Sequence, residues 1–246
     1  MQMTGNTILI TGGGTGLGRG WAEALHALGN RIIIAGRRAD VLEAVAAENP
    51  GMATALLDVA DPADIARFAE EIVRDHPALN AVIHNAGIMQ VEDLLAEPFA
   101  LDSAEAMIAI NLLGPIRLNA ALLPHLRRQP KAVVATVSSG LAFVPLAATP
   151  TYSATKAAIH SYTQSLRHQL RDTSVEVIEI APPGVATDLM PGHAENPHSM
   201  PLAEYIAETM AQLEAQAPEN LVERVKFLRF AEARGDYPEV FKALNG

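Results

Sequence analysis

Tyr152 and Lys156 stand four residues apart, and Ser139 stands thirteen residues before the tyrosine. Those residue types at that spacing can move a proton. On a helix, positions i and i+4 share a face, so the phenol and the ammonium lie side by side. A free phenol holds its proton up to about pH 10. A neighbouring lysine cation favours the phenolate and lowers that value. A serine hydroxyl in the same pocket can hold a substrate oxygen and stabilise charge developing on it. An isolated Tyr-x-x-x-Lys is ordinarily structural or superficial. The pair becomes an oxidoreductase site only beside a group that carries hydride.

Residues 11–18 offer such a group a seat. Thr11-Gly-Gly-Gly-Thr-Gly-Leu-Gly18 follows the apolar Ile8-Leu9-Ile10 and opens a helical pattern. In open parallel sheets, dinucleotides bind at strand C-termini, against helix N-termini. Glycines there permit a tight turn and let the backbone approach a pyrophosphate. No glycines fit G-x-G-x-x-G. The spacing is Thr11-Gly12-x-x-x-Gly16-x-Gly18, and Gly14, Gly18 and Gly20 repeat the same offsets in a second register. A threonine directly after the strand favours the first. Gly12, Gly14, Thr15, Gly16, Leu17 and Gly18 are the expected phosphate cradle, against the plainer reading of a flexible turn.

The elements that must position these groups alternate along the chain. Thr7–Ile10, Arg31–Ala35, Ala53–Leu57, Ala81–His84, Ala132–Val137 and Val175–Ile180 read as strands. They are short, rich in β-branched residues and not alternating, as strands covered on both faces should be. Helical patterns occupy Leu17–Leu28, Ala39–Glu48, Pro62–Asp75, Ser103–Arg128 and Tyr152–Asp172. Asp61-Pro62 is an N-cap followed by proline at the first helical position. Strand–helix alternation predicts an α/β fold: a doubly wound parallel sheet of about six strands, with right-handed crossovers and helices on both faces. No repeat or linker interrupts it, so residues 1–246 read as one domain. After Ala181 the pattern changes. Residues 182–216 read as a mobile substrate loop, Pro182–Pro201, and a lid helix, Leu202–Gln216. Residues 219–246 read as a helical C-terminus, with helices over Glu219–Arg234 and Pro238–Leu244.

From Thr7 to about Asp188 the chain resembles the short-chain dehydrogenases/reductases. The family's T-G-x-x-x-G-x-G is matched by Thr11, Gly12, Gly16 and Gly18. Its N-N-A-G appears as His84-Asn85-Ala86-Gly87, with histidine for the first asparagine. Its helix asparagine is matched by Asn111, its serine by Ser139, and its Y-x-x-x-K by Tyr152 and Lys156. The spacings of 28, 13 and 4 residues between these four are the family's usual ones. Asn111-Leu-Leu-Gly-Pro115 and Pro182-Pro-Gly-Val-Ala-Thr187 are similar to the branch often labelled DltE-type short-chain oxidoreductases. The resemblance implies a Rossmann-type fold and a catalytic set of Asn111, Ser139, Tyr152 and Lys156. In it, Asn111 would anchor a water that relays protons to the lysine, and Lys156 would hold the nicotinamide ribose.

The resemblance also implies a homodimer that pairs helices 103–128 and 152–172 of two subunits. Two departures stand out. The family has Pro-Gly after its sixth strand, where this chain has Pro182-Pro183-Gly184, so contacts to the nicotinamide end are expected to differ slightly. The family also often ends in a seventh strand with a Val-Asp-Gly-Gly-like tail. Here that region reads as helical and charged, so a helical C-terminus is expected in place of the seventh strand, and a dimer without the further tetramer.

Cofactor preference is written after the second strand. An acidic residue there bonds the ribose hydroxyls of NAD, whereas the 2′-phosphate of NADP asks for positive charge. The stretch is Ile34-Ala35-Gly36-Arg37-Arg38, with no acid and two arginines. Guanidinium suits phosphate by its bidentate geometry, so NADP(H) is the expected cofactor. Asp58 matches the family position that contacts adenine, with Val59 beside it. Asn85, Ala86 and Gly87 should border the cofactor, and Pro182, Pro183 and Thr187 should meet its nicotinamide end. The substrate side is expected among Leu141, Phe143, Val144 and Leu146, closed by Leu189, Met190, Met200 and Tyr205.

Composition narrows the classes. The net charge of −10 and pI of about 5.2 argue against nucleic acid or an anionic membrane as partner. With no cysteine, disulfides and thiolate chemistry are excluded. No metal site is expected, and His193 and His198 read as loop histidines. The uncharged stretch Ala132–Thr155 holds too many Ser, Thr and Pro to favour a span. No secretory signal is apparent at the N-terminus, so a cytoplasmic location is expected. A small carbonyl or alcohol is the expected substrate. A non-enzymatic dinucleotide sensor on the same fold competes with this reading, but it would have no use for the whole Ser–Tyr–Lys set. A serine hydrolase competes less well, because Val137-Ser138-Ser139-Gly140 makes no G-x-S-x-G elbow.

Overall fold

The computed structural model describes residues 1–98, 101–190, 192 and 194–246. Its strands are β1 (Thr7–Thr11), β2 (Arg31–Gly36), β3 (Ala53–Leu56), β4 (Ala81–His84), β5 (Ala132–Val137), β6 (Val175–Ile180) and β7 (Glu219–Asn220). They form one sheet in the order β3-β2-β1-β4-β5-β6-β7. Every pairing is parallel. The order reverses between β1 and β4, which is where a parallel sheet opens a crevice at its C-terminal edge.

Helices α1 (Gly16–Ala27), α2 (Ala39–Glu48), α3 (Pro62–Asp75), α4 (Asp102–Ile108), α5 (Gly114–Leu126) and α6 (Pro150–Leu170) lie between the strands up to β6. Successive strand residues feed opposite cores. Ile8, Ile10, Ile34 and Ile83 pack with Trp21 and Leu25 of α1, and Leu9, Ile33, Val82 and Val134 pack with Phe68 and Leu122 of α3 and α5. Each such side chain, fully buried, contributes about 1.5–3 kcal/mol. α3 begins where its sequence says it should: the Asp61 carboxylate accepts the Ala63 N–H at 2.8 Å, and Pro62 follows.

The C-terminal region corrects one expectation. A seventh strand is present: Glu219 and Asn220 pair in parallel with Glu179 and Ile180 of β6. Two residues, one of them charged, leave no apolar run for a pattern to register. The strand is held by its surroundings instead. Asn220 Nδ2 donates to Thr209 O at 3.0 Å, and Arg229 grips the Glu219 carboxylate through Nε and Nη2 at 3.0 and 3.2 Å. The sheet therefore has seven strands, and β7 occupies the first two residues of the helix expected over Glu219–Arg234. Beyond it the chain is helical as anticipated, in α8 (Glu223–Arg229), α9 (Ala231–Arg234) and α10 (Tyr237–Asn245).

The loop over 182–201 is tied at its base by a parallel bridge between Val185 and Met200. The helix that follows, α7 (Leu202–Glu214), lies on α1, with the Trp21 and Tyr205 rings 6.0 Å apart. Met200 and Tyr205 are fully buried in that core and do not close the substrate side. Val144 likewise packs on Ala231 and Val240. His193 lies outside the described residues.

Candidate active site

A groove of about 390 Å³ crosses the C-terminal edge of the sheet. Its lining follows the strand order. Asp58 and Val59 come after β3, and Arg37 and Arg38 after β2. Gly12, Gly14, Thr15, Gly16 and Leu17 come after β1, Asn85, Ala86 and Gly87 after β4, Ser139 after β5, and Pro182, Pro183 and Thr187 after β6. Tyr152 and Lys156 complete the wall from α6. Of the expected catalytic and cofactor residues, only Gly18 and Asn111 stand outside the lining. Leu189, expected on the substrate side, lines it as well, and Ser138 and Asp188 line it without having been anticipated.

The cradle is shaped by what a side chain would strike. Gly12 has φ +65°, and a Cβ there would sit 2.9 Å from Asn85 Nδ2. Gly16 has φ +52°, a region that costs most residues but not glycine. A Cβ on Gly18 would lie 2.3 Å from Gly12 O, so Gly18 works behind the wall, letting α1 seat against the turn. Thr11 stitches this turn to the neighbouring loop. Its hydroxyl accepts the N–H groups of Asn85 and Ala86, both at 3.1 Å, while Asn85 Nδ2 donates to Thr11 O and Gly12 O at 3.0 and 3.1 Å.

A dinucleotide fits what is exposed here. Thr15 caps α1 in extended geometry with no side-chain bond, so the first-turn amides of the helix stay open toward the groove. The Ser138 hydroxyl is buried and has no hydrogen-bond partner among the described residues. Arg37 and Arg38 are exposed at the β2 end and form no ion pair among the described residues.

At the other end the proton-handling groups converge. Tyr152 and Lys156 are both buried on the same face of α6, with Lys156 Nζ 5.4 Å from the phenol ring centre. Burial pushes the Tyr152 phenol up to about 12, and a hydrogen bond from the Ser139 hydroxyl draws it part of the way back. The lowering expected from the lysine is not found: burial and the Ser139 bond account for the shift. Desolvation also pulls Lys156 down to about 8, and its Nζ donates to Val137 O at 2.9 Å. At neutral pH, then, the tyrosine holds its proton and can give it to a developing alkoxide. Ser139 is fixed by the 3-10 turn that follows it, its Oγ accepting the Leu141 N–H at 3.1 Å.

Asn111 reaches this site through a local distortion that the sequence pattern does not show. The expected helix Ser103–Arg128 is broken by a π-helical turn over Ala109–Leu113. Such turns concentrate at functional sites. Here it aims Asn111 at the β4 loop: Oδ1 accepts the Ile88 N–H at 2.9 Å, and Nδ2 donates to Ile88 O at 2.8 Å and Thr155 Oγ1 at 3.3 Å. A Cβ on Gly87 would sit 3.3 Å from Asn111 Oδ1 and 3.8 Å from Lys156 Nζ, so glycine lets the amide and the ammonium approach.

Glu92 was missed. It is nearly buried, and its carboxylate accepts the Thr151 N–H at 2.9 Å and the Thr151 hydroxyl at 2.8 Å. It thereby caps the first turn of α6, one residue before Tyr152. A lone acid in a loop carries no sequence signal for that role.

His84 replaces an asparagine of the family motif. It is buried, and its Nε2 lies 2.8 Å from Asn119 Oδ1. Burial lowers it from 6.5 to about 4, with the Asn119 bond opposing. The unfolded chain takes up this proton as pH falls through about 6.5, and the folded chain only near 4. Stability is thus complete above 6.5 and declines as pH falls to about 4, by on the order of 3 kcal/mol. His84→Asn is expected to remove that decline. Denaturant unfolding at both ends of the window checks it; equal acid sensitivity of the two proteins would refute it.

The chain belongs to the short-chain dehydrogenase family. The family's sequence model, described as short chain dehydrogenase, matches residues 6–197. The chain is 41% identical to the protein named uncharacterized oxidoreductase DltE of Bacillus subtilis (strain 168), over 251 residues that cover 100% of this chain and 98% of that one. It is 32% identical to dehydrogenase/reductase SDR family member 7B of Bos taurus over 192 residues, 74% of this chain and 58% of that one. Among solved structures, a short chain dehydrogenase of Burkholderia cenocepacia J2315 in complex with NADP superposes with a TM-score of 0.85 at 26% identity, covering 99% of each chain. A short chain dehydrogenase/reductase of Burkholderia phymatum in complex with NAD superposes at 0.82 with 18% identity, covering 98% of this chain and 96% of that one, a likeness of fold alone.

Proposed function

We propose that this protein is an NADP(H)-dependent oxidoreductase that interconverts a carbonyl and an alcohol, with Tyr152 as general acid and base. One observation carries the reading: Ser139, Tyr152 and Lys156 line the same groove as the glycine cradle and the two unpaired arginines. The nicotinamide, when bound, supplies or accepts the hydride. Gly12, Gly14, Gly16 and the open amides of α1 would hold the pyrophosphate, and Arg37 and Arg38 the 2′-phosphate. Asp58 and Val59 would border the adenine. Asn85, Ala86, Gly87, Pro182, Pro183 and Thr187 would flank the rest.

In the reductive direction, the Ser139 hydroxyl orients the substrate oxygen and the Tyr152 phenol gives it a proton. Lys156 then restores the phenol, and Asn111 anchors the site to the β4 loop. Reduction of a carbonyl panel with NADPH, followed at the nicotinamide absorbance, tests the assignment. Turnover with no carbonyl or alcohol would sink it.

The same chain is proposed to act as a homodimer. The outward faces of α5 and α6 carry small residues, with Ala120, Ala121, Ala154, Ala157, Ser161 and Ser165 exposed. Two such faces can approach closely, and closed two-fold pairing is the commonest assembly. Pairing them would steady α6 behind Tyr152 and Lys156. Light scattering at micromolar concentration is expected to give at least twice the chain mass, since the seventh strand is present after all; a fully active monomer would contradict this.

A further inference from the structure

Beside the polar Ser139 and Lys156, an apolar cluster packs against Tyr152. Met89 and Met107 are buried with it, and Ile88, Leu141, Leu146 and Met190 pack against the three. Of these side chains Ile88 also lines the groove, as does Leu189. Among the described residues, the cation at this end of the groove is Lys156, and its ammonium is held by Val137 O.

The chain on either side is acidic or neutral. Residues 85–116 hold Glu92, Asp93, Glu97, Asp102 and Glu105 but no lysine or arginine. Residues 182–201 hold Asp188 and Glu195 but no lysine or arginine. Glu92 already caps α6 through Thr151, so its charge is engaged. Asp188 and Leu189 line the groove.

An anionic substrate would therefore lose its hydration against aliphatic lining such as Ile88 and Leu189 without meeting a counter-charge. It would also approach through a field of its own sign. Resting on the oxidoreductase reading above, we infer that the substrate is an uncharged ketone, aldehyde or alcohol with apolar groups on both sides of the reacting carbon. The same arrangement disfavours keto acids and phosphorylated carbonyls.

A matched pair isolates the charge: hexyl methyl ketone, and the keto acid of equal chain length whose far methyl is a carboxylate. With NADPH present, kcat/KM is expected to be about tenfold or more higher for the neutral ketone, the penalty of an unpaired charge. Met190→Arg is expected to narrow that gap by raising turnover of the keto acid. Saturation-transfer NMR on the NADPH-loaded protein reads binding separately from chemistry. A neutral ketone that binds but is never reduced would leave the ligand class standing and topple the oxidoreductase reading. Equal or better use of the keto acid, or binding of neither compound, would overturn the inference.

Discussion

Tyr152→Phe is expected to lower kcat by about 10²–10⁴-fold, the usual worth of a general acid–base group. Dinucleotide affinity should stay near that of the parent protein. The ring packs among Met89, Met107 and Leu146, and phenylalanine keeps that packing. Only the transferable proton and the bond to Ser139 are lost. The direction of the pH effect follows from the raised phenol. With the group protonated up to about 12, proton donation to a carbonyl is available throughout the neutral range. Alcohol oxidation needs the phenolate, so its rate should rise with pH. Steady-state rates in both directions, together with a fluorescence titration of NADPH, check this. A Tyr152→Phe protein with near-parental turnover would show that another group carries the proton.

The double variant Gly36→Asp/Arg37→Ala is expected to swing cofactor preference from NADP(H) to NAD(H). Charge-assisted hydrogen bonds to the 2′-phosphate are worth about 1.5–3 kcal/mol each, roughly tenfold to over a hundredfold in affinity. The variant removes one such donor and offers a carboxylate to the ribose hydroxyls. Position 36 can take the new side chain: a Cβ there meets only Leu42 Cδ2, at 3.8 Å. Gly36 is the last residue of β2 and lines the groove, so the carboxylate would enter where the ribose is expected. Kd values for both cofactors with the parent and variant proteins decide the matter. A parent protein that binds NADH as tightly as NADPH would contradict the role given to the arginines.

Much of this architecture was legible because its cause is local. Strands β4, β5 and β6 fall at Ala81–His84, Ala132–Val137 and Val175–Ile180, since strands covered on both faces are rich in β-branched, apolar residues, here interrupted in β6 by Glu176 and Glu179. α2 and α3 also match their patterns, α3 because Asp61-Pro62 marks its start. The groove residues were legible because phosphate cradles demand glycine at set offsets. What escaped notice depends on distant partners. β7 is two residues long and exists through β6, Thr209 and Arg229. The π-helical turn at Asn111 adds no residue type that a periodicity would flag, and it is stabilised by Ile88 and Thr155. Met200 and Tyr205 looked like loop-side residues by sequence position, yet the Val185 bridge and Trp21 draw them into the core. Glu92 shows its role only once α6 is in place.

Hydride transfer itself can be watched most directly with an isotope. NADPH carrying deuterium at both C4 positions is incubated with the protein and a set of uncharged apolar methyl ketones, and the alcohols are analysed by mass spectrometry and NMR. The account predicts one deuterium, on the carbinol carbon, in product made by the parent protein, and almost no product from Tyr152→Phe. Alcohol without deuterium at that carbon, or no alcohol from any ketone while labelled NADPH is demonstrably bound, would contradict it.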